Sequence, residues 1–513
     1  MDYYSTLLNS YQLILPLAVE VVLPKNDTAR LIDGVFSRLD FSDEELCYAK
    51  RKRKIPFAIM IRIVIFAYMK KIKSVRDIEV ACKENTKFMW LLKGYPAPDH
   101  NTIARFINDV NVEAILVKVN KFLESIGEIK FENAFIDGTK IEANANRYTF
   151  VWKGAVEKWR TKLLEKIDSF IVDIHSRYAV KFEGIQGVVN YLEHLEFEKV
   201  FGKGKRKSQE QRDLETATDY NSRLIRYDRQ LALIGDSRKS MSKTDADATF
   251  MRLKDDHMRN GQLKAAYNVQ ICVESEYIVS THVSDERSDF ATLPPMLDKI
   301  KRDYGRRHKN VITDAGYESE ENLVYLQKHE QLSFLKPQNY EQQKTRKYKA
   351  QIGRKENMPY DVTLDEYTCA NGKKLKPLYE TVRKSKNGFE QKLTIYECED
   401  CGGCPKRSLC TKAQDGKNKR IQCSKVFEKL RELSYQNITS ELGIRLRVNR
   451  SIQVEGAFGV IKQDYEFRRF VRRGYNGVTK DITLMALGYN LNKLHNNITN
   501  GRLGFTLHDV DTA

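Results

Sequence analysis

Apolar positions follow two rhythms along the chain. Up to about Ile129 they recur at helical spacing: Ile55 to Met69, Val75 to Cys82, Lys87 to Leu92 and Thr102 to Val110 are separated by short polar connections. That spacing predicts a series of short helices. Pro96, Pro98 and the cluster Asp99-His100-Asn101-Thr102 mark a turn and a capped helix start. The most apolar run, Ile55 to Met69, contains Arg62 and stops at Lys70 and Lys71. It is shorter than the ~18 to 20 apolar residues that a spanning helix needs, so it predicts a buried core helix and no membrane partner. Met1 to Ser10 lacks a basic start followed by an apolar core, which argues against a secretory leader and for a cytoplasmic chain.

From Glu132 the rhythm changes. Ala134-Phe135-Ile136 is a short apolar run ending in Asp137-Gly138, and Asn310-Val311-Ile312-Thr313 likewise delivers Asp314 to Ala315-Gly316. Both read as buried strands with a carboxylate at the exit. Tyr267 to Cys272 and Tyr277 to Val283, separated by polar Glu274-Ser275-Glu276, predict a hairpin; a helix at about Ala291 to Tyr304 and a strand at Leu332 to Leu335 complete the set. Two stretches interrupt it. Residues 151–250 are helical and charged, with Trp159, Leu163, Ile167 and Phe170, then Leu224, Tyr227, Leu231 and Ile234, as core stripes and Lys203 to Lys207 as an exposed turn. Residues 341–440 are polar, Lys-rich and Cys-bearing, too poor in apolar residues to promise a core. Ordered texture returns with a helix over Val454 to Tyr465 carrying Glu455 and Lys462, then Arg468, Arg469, Arg472 and Arg473, and a last helix over Ile482 to Leu494.

The predicted organisation is therefore an N-terminal all-α domain (1–129), a first core strand (130–150), a helical insertion (151–250), the core continued (251–340), a Cys-bearing insertion (341–440), the Glu455 helix and last helix (441–497) and a tail (498–513). At 513 residues several modules are expected. Lys plus Arg total 87 against 69 for Asp plus Glu, a net +18, which favours a polyanionic partner such as nucleic acid. Short helices joined by tight turns suit a helix-turn-helix-like DNA reader, with Lys50, Arg51, Lys52 and Arg53 on phosphates. A plain bundle with a solvated charge run fits the same pattern.

The order strand with Asp137, hairpin, helix, strand with Asp314, further strand, helix with Glu455 is the syntax of a ribonuclease-H-like α/β fold, a mixed sheet flanked by helices. Three distant carboxylates brought to one sheet edge suit phosphodiester chemistry with Mg²⁺ or Mn²⁺, because hard cations take carboxylate oxygens. A lone strand-end Asp is usually a turn residue or helix cap. Two in the same context, with a helical Glu, make coincidence less plausible.

Three blocks, Phe135-Ile136-Asp137-Gly138-Thr139-Lys140, Ile312-Thr313-Asp314-Ala315-Gly316-Tyr317 and Val454-Glu455-Gly456-Ala457-Phe458-Gly459, resemble the catalytic motifs of DDE transposases of bacterial insertion sequences. The stretch from Phe36 through Arg51-Lys52-Arg53 to Lys93-Gly94-Tyr95-Pro96-Ala97-Pro98-Asp99-His100-Asn101-Thr102-Ile103-Ala104-Arg105-Phe106 resembles the helical domain in front of that core. The resemblance implies an enzyme that cleaves double-stranded DNA at the terminal inverted repeats of an element and transfers the resulting 3′-hydroxyls into target DNA. It also implies two copies of the chain when two ends are synapsed. Many relatives carry Tyr, Arg, Glu and Lys, with Arg four residues before the Glu and Lys seven after. Lys462 stands at the Lys position, sharing a face with Glu455 on a regular helix. Arg450 stands five before Glu455, and Val448 stands where the signature has Tyr. The likeness is to a neighbouring branch, with Arg450, Lys462, Arg468, Arg469, Arg472 and Arg473 as candidate DNA contacts.

Cys398, Cys401, Cys404 and Cys410, with Cys369 upstream, offer five thiols for a tetrahedral site that takes four. Such spacing suits a structural Zn²⁺, with Cys369, Cys401, Cys404 and Cys410 the preferred set; a metal-free loop is the plain alternative. Two other functions compete with transposition: a transposase-derived DNA-binding protein without catalysis, and a metal-dependent nuclease on a related core.

Overall fold

The computed structural model describes residues 23–49, 54–201, 206–253, 261–385, 387–414 and 416–509. Lys50 to Arg53 and much of the Lys203 to Lys207 stretch lie outside the described residues. Helices α1 (Thr28–Phe36), α2 (Ser42–Ala49), α3 (Phe57–Met69), α4 (Val75–Glu84), α5 (Thr86–Leu92), α6 (His100–Asp109) and α7 (Val112–Ser125) come first. Asp99 caps α6 as its sequence predicts, accepting from the N–H groups of Asn101 at 2.9 Å and Thr102 at 3.0 Å. Among the described residues no helix is long and apolar enough to cross a membrane.

The central sheet is mixed. Strands β1 (Asn133–Glu142), β4 (Thr249–Arg252), β5 (Leu263–Glu274), β6 (Tyr277–Ser284), β7 (Asn310–Thr313) and β8 (Leu332–Leu335) build it; β2 (Phe150–Trp152) and β3 (Ser240–Ser242) pair separately. β5 runs antiparallel to β1, while β7 and β8 run parallel to it on the other side. β6 and β4 share the far edge of β5. The predicted hairpin is β5–β6, whose two-residue turn places Ser275 and Glu276 at φ 52 and 66, as a primed turn requires. One difference matters for the site. β1 does not end at Asp137 but continues to Glu142, because its pairing with β5 extends to Glu142 opposite Ala266.

The N-terminal helices do not keep a core of their own. A single apolar cluster runs from Ala29 through α3 and the sheet to Leu494. Its hinge is the close contact of α3 with the last helix, Gly474–Thr499: a Cβ on Gly488 would meet Met69 N and Tyr68 C at 2.9 Å. Side-chain-free contact brings the two backbones together, and the last helix in turn packs on β6.

Both interruptions are structured. Helices α8 (Lys153–Tyr178), α9 (Gly184–Glu193) and α10 (Gln209–Ile234) enclose a small core of Leu163, Ile167, Ile174, Val188, Leu192 and Ala217. Trp159, expected in that stripe, is 54% exposed. The Cys-bearing stretch was expected to lack a core; it instead forms a five-stranded antiparallel sheet, β9 (Tyr360–Asp361), β10 (Glu366–Thr368), β11 (Lys374–Lys384), β12 (Glu390–Cys398) and β13 (Arg420–Cys423). Met358, Tyr367, Leu375, Tyr396 and Ile421 pack there with Cys398, Cys401 and Cys423, so buried thiols supply apolar surface that branched side chains do not.

After α11 (Leu293–Tyr304), α12 (Glu320–Lys328) and α13 (Lys425–Thr439), helix α14 (Glu441–Arg450) leads without a break into a wide π-type turn, Ser451–Glu455. A short α segment, Gly456–Gly459, and a second wide turn, Val460–Asp464, follow. Gly474–Thr499 is α15.

Candidate active site

Strand register sets Asp137 beside Asp314. β1 and β7 pair in parallel with Phe135 opposite Ile312, and each aspartate lies two residues further on. Neighbouring strands are about 4.8 Å apart, so the two carboxylates start from adjacent backbone positions. Asp314 leaves β7 and caps a 3₁₀ turn, Ala315–Tyr317, accepting from Gly316 N–H at 2.8 Å. The Asp137 Oδ1 accepts from Gly138 N–H at 2.8 Å.

Arg450 joins Glu455 to this pair. Its Nη1 donates to Asp137 Oδ2 at 3.2 Å and its Nη2 to Glu455 Oε1 at 3.3 Å. One guanidinium therefore bridges a strand-borne and a helix-borne carboxylate. The five-residue spacing that set Arg450 apart from the related signature has a physical explanation. A π turn closes over one more residue than an α turn, and Ser451–Glu455 is such a turn, so a residue five before Glu455 occupies the face that one four before would occupy on a regular helix. The Glu455 side chain is 61% exposed against 20% for Asp137, which marks the helix side as the open one.

A third acidic side chain stands near the two aspartates, and the sequence did not single it out. Burial, then the charges of Asp289, Asp137 and Asp314, hold the Tyr317 phenol well above its ordinary value, with Arg450 acting in the opposite sense. A Cβ on Gly316 would meet Asp314 Oδ1 at 3.0 Å and Asp289 Oδ2 at 3.5 Å. Asp289 precedes α11 in a loop where an Asp ordinarily reads as a turn or cap residue, so no local pattern distinguishes it.

Among the described residues no group of three or more His, Cys, Asp or Glu side chains is arranged to hold a metal ion. The donors here are carboxylate oxygens, which match a hard divalent cation in kind. In this arrangement the positive charge between Asp137 and Glu455 comes from Arg450.

The other basic residues divide. Arg469 and Arg473 are exposed yet brace the chain leaving β1: Arg469 donates to the carbonyls of Ala143 (3.3 Å) and Ala145 (2.7 Å), Arg473 to that of Asn144 (2.8 Å). Arg468 is exposed and donates to Gln463. Lys462 lies half-buried in the second wide turn, so its alignment with Glu455 is not that of an uninterrupted α-helix. Arg472 points inward instead, pairing with fully buried Asp481 and with the Tyr68 hydroxyl at 3.0 Å. Its charge is neutralised inside the fold.

Cys369, Cys398, Cys401, Cys404 and Cys410 line one cavity of about 20 Å³, room for a single water-sized particle. Lys419 N–H donates to Cys401 Sγ at 3.3 Å, and Arg407 donates to the carbonyls of Cys401, Gln414 and Lys417, fastening the loop around the thiols. Burial, reinforced by Cys401 and Cys369, pushes the Cys398 thiol up to about 12.

Residues 368–495 match the family described as transposase DDE domain, and residues 18–109 match the one described as transposase domain (DUF772). Together these matches support a DDE transposase of an insertion-sequence family. The first contains Glu455, Lys462 and the cysteine cavity; Asp137 and Asp314 lie outside both. No curated protein and no solved structure matches the chain.

Proposed function

We propose that the protein is a DDE transposase that cuts DNA at the ends of an insertion sequence and joins the freed 3′-hydroxyls to target DNA, with Asp137, Asp314 and Glu455 as its catalytic carboxylates. The observation that carries this reading is the register: Asp137 on β1 and Asp314 just past the end of the adjacent parallel β7 each lie two residues beyond the Phe135–Ile312 pair, and Glu455 is tied to Asp137 through Arg450. The strand order β6-β5-β1-β7-β8, three antiparallel then two parallel to β1, supports a ribonuclease-H-like core.

Asp137, Asp314 and Glu455 would hold Mg²⁺ or Mn²⁺, which supplies Lewis-acid activation of the attacking oxygen and stabilisation of the leaving one. Arg450 keeps Asp137 and Glu455 from repelling each other, and with DNA in place its guanidinium suits a phosphate oxygen equally well. In the first reaction water attacks phosphorus and the 3′-oxygen leaves, taking a proton. In the second that hydroxyl loses its proton and attacks a target phosphodiester, whose own 3′-oxygen leaves. Neither step needs a covalent protein intermediate. Lys462, Arg468, Arg469 and Arg473 would grip the backbone, a role that carries affinity rather than sequence information. The N-terminal helices would read the terminal repeats, two copies would hold two ends, and the cysteine cavity would take one structural Zn²⁺.

The test is incubation of the purified protein with DNA carrying the sequences that flank its reading frame, in Mg²⁺ and in chelator. Metal-dependent nicks at inverted repeats, followed by joining of those ends to a second plasmid, are the expected products. Cleavage without end preference or joining would favour a nuclease, and binding without cleavage a non-catalytic derivative.

A further inference from the structure

The side chains behind the two aspartates form a continuous hydrogen-bonded bridge that crosses the sheet. Gln270 on β5 is paired with Gly138 on β1, and its side chain passes over that glycine: a Cβ there would lie 2.2 Å from Gln270 Nε2. On the far side Gln270 Oε1 accepts from the Tyr317 hydroxyl, at the end of the turn that Asp314 caps. Its Nε2 donates to Asp289 Oδ1 at 2.9 Å, and the same oxygen accepts from Asn268 Nδ2 at 2.8 Å. Gln270 and Tyr317 are fully buried and Asn268 is 1% exposed. A second tie runs in parallel, with buried Asn322 donating to the carbonyls of Phe290 (3.0 Å) and Tyr317 (2.7 Å). The loop bearing Asp289, the strand bearing Asp137 and the turn bearing Asp314 are thus held by one set of buried groups.

We propose that Asp289, acting through Gln270 and Tyr317, is a positioning residue for the reaction: it fixes the Gln270 amide, which in turn locks the Asp314 turn against the Asp137 strand and so sets the spacing of the two aspartates. The proposal rests on the assignment of Asp137 and Asp314 as metal-holding carboxylates. Outer groups that orient ligands without touching the ion typically change its affinity by about 10- to 100-fold. A mismatch in the spacing of two carboxylates is felt first in metal affinity, because each must present an oxygen to a common ion at a fixed distance. Asp289 contributes as an acceptor of two amide N–H groups, a role that an Asn oxygen can fill.

The experiment measures Mn²⁺ binding to the full chain without DNA, by calorimetry and by the loss of free-ion paramagnetic resonance signal. Wild type, Asp289→Ala, Asp289→Asn, Tyr317→Phe and Asp314→Ala are compared, with melting temperature and DNA affinity recorded for each. Asp289→Ala and Tyr317→Phe are expected to weaken Mn²⁺ binding by about tenfold or more, with DNA affinity close to wild type and a lowered melting temperature, since each loses buried hydrogen bonds. Asp289→Asn should recover most of that loss, and raised Mn²⁺ should restore the cleavage rate of Tyr317→Phe. Wild-type Mn²⁺ affinity in Tyr317→Phe and Asp289→Ala overturns the proposal while leaving the carboxylate assignment intact, provided that Asp314→Ala abolishes binding. Asp289→Asn as damaging as Asp289→Ala also overturns it, since charge rather than hydrogen bonding would then be at work. If Asp314→Ala binds Mn²⁺ like wild type, the carboxylate assignment itself fails and takes the proposal with it.

Discussion

Gly138→Ala probes the packing behind the site most sharply. Gly138 has no need of glycine for its backbone, since it is not among the positive-φ residues. It needs space: an added Cβ would stand 2.2 Å from Gln270 Nε2, 2.8 Å from Gln270 Cδ and 2.7 Å from Asp289 Oδ1. Gln270 cannot simply swing aside, because Tyr317, Asp289 and Asn268 hold both ends of its amide. Removing glycine from a strand would otherwise gain about 0.5–1 kcal/mol. Against that stand overpacking, about 1–3 kcal/mol, and the loss of one hydrogen bond to a carboxylate, about 1.5–3 kcal/mol. The net expectation is a destabilisation of about 2–4 kcal/mol, local to β1 and β5. Hydrogen exchange read by mass spectrometry reports the opening free energy of those strands without assuming that the whole chain unfolds in one step. In a Gln270→Ala background the added methyl has room, so the two substitutions should couple by at least about 1.5 kcal/mol. Additive effects, or a Gly138→Ala protein with unchanged protection in β1, would refute the packing argument.

Other consequences are independent of that bridge. Asp481→Ala leaves the Arg472 guanidinium buried beside Tyr68 without its partner and should cost about 3–5 kcal/mol by thermal or urea unfolding; a loss below ~1 kcal/mol would mean that Arg472 is free to turn to solvent. Burial lowers His282 from 6.5 to about 4. The fold thus favours its neutral form, and stability is complete above pH 6.5 and declines as pH falls toward 4, by up to about 3 kcal/mol. His282→Gln should flatten that decline in melting temperature, and an unchanged slope would assign it elsewhere. Protein purified without chelator should carry one zinc per chain, and Cys401→Ser should release it with loss of protection in β12 and β13; zinc-free wild type with the same protection would leave the cysteines as packing residues.

How much of this was legible in the sequence depended on whether local pattern or long-range pairing decided the outcome. Leu332 to Leu335 was recovered to the residue and the β5–β6 hairpin to within a few, because apolar runs bounded by turn residues specify strands locally. The strands that lead to Asp137 and Asp314, proposed as catalytic, were legible for the same reason, each Asp following an apolar run. The end of β1 was not, since Asp137 lies mid-strand only by virtue of its pairing with β5. The five-stranded sheet was missed because its strands are rich in Lys and Glu with few buried aliphatic side chains, and β11 is exposed over most of its length. The wide turn that brings Arg450 to Glu455 leaves no mark in composition; only the one-residue excess in spacing hinted at it. Asp289 and Gln270 gain their place through register across β1, which no single stretch of sequence encodes.

Asp137, Asp314 and Glu455 are proposed to carry the chemistry rather than the binding. The most direct test of that assignment is Asp137→Ala, assayed for Mg²⁺-dependent nicking and joining of labelled element-end DNA alongside equilibrium binding of the same DNA. Nicking and joining are expected to vanish while affinity for the ends stays within a few-fold of wild type, because the carboxylate would hold metal and not DNA. An Asp137→Ala protein that cut and joined element ends at the wild-type rate would contradict that assignment.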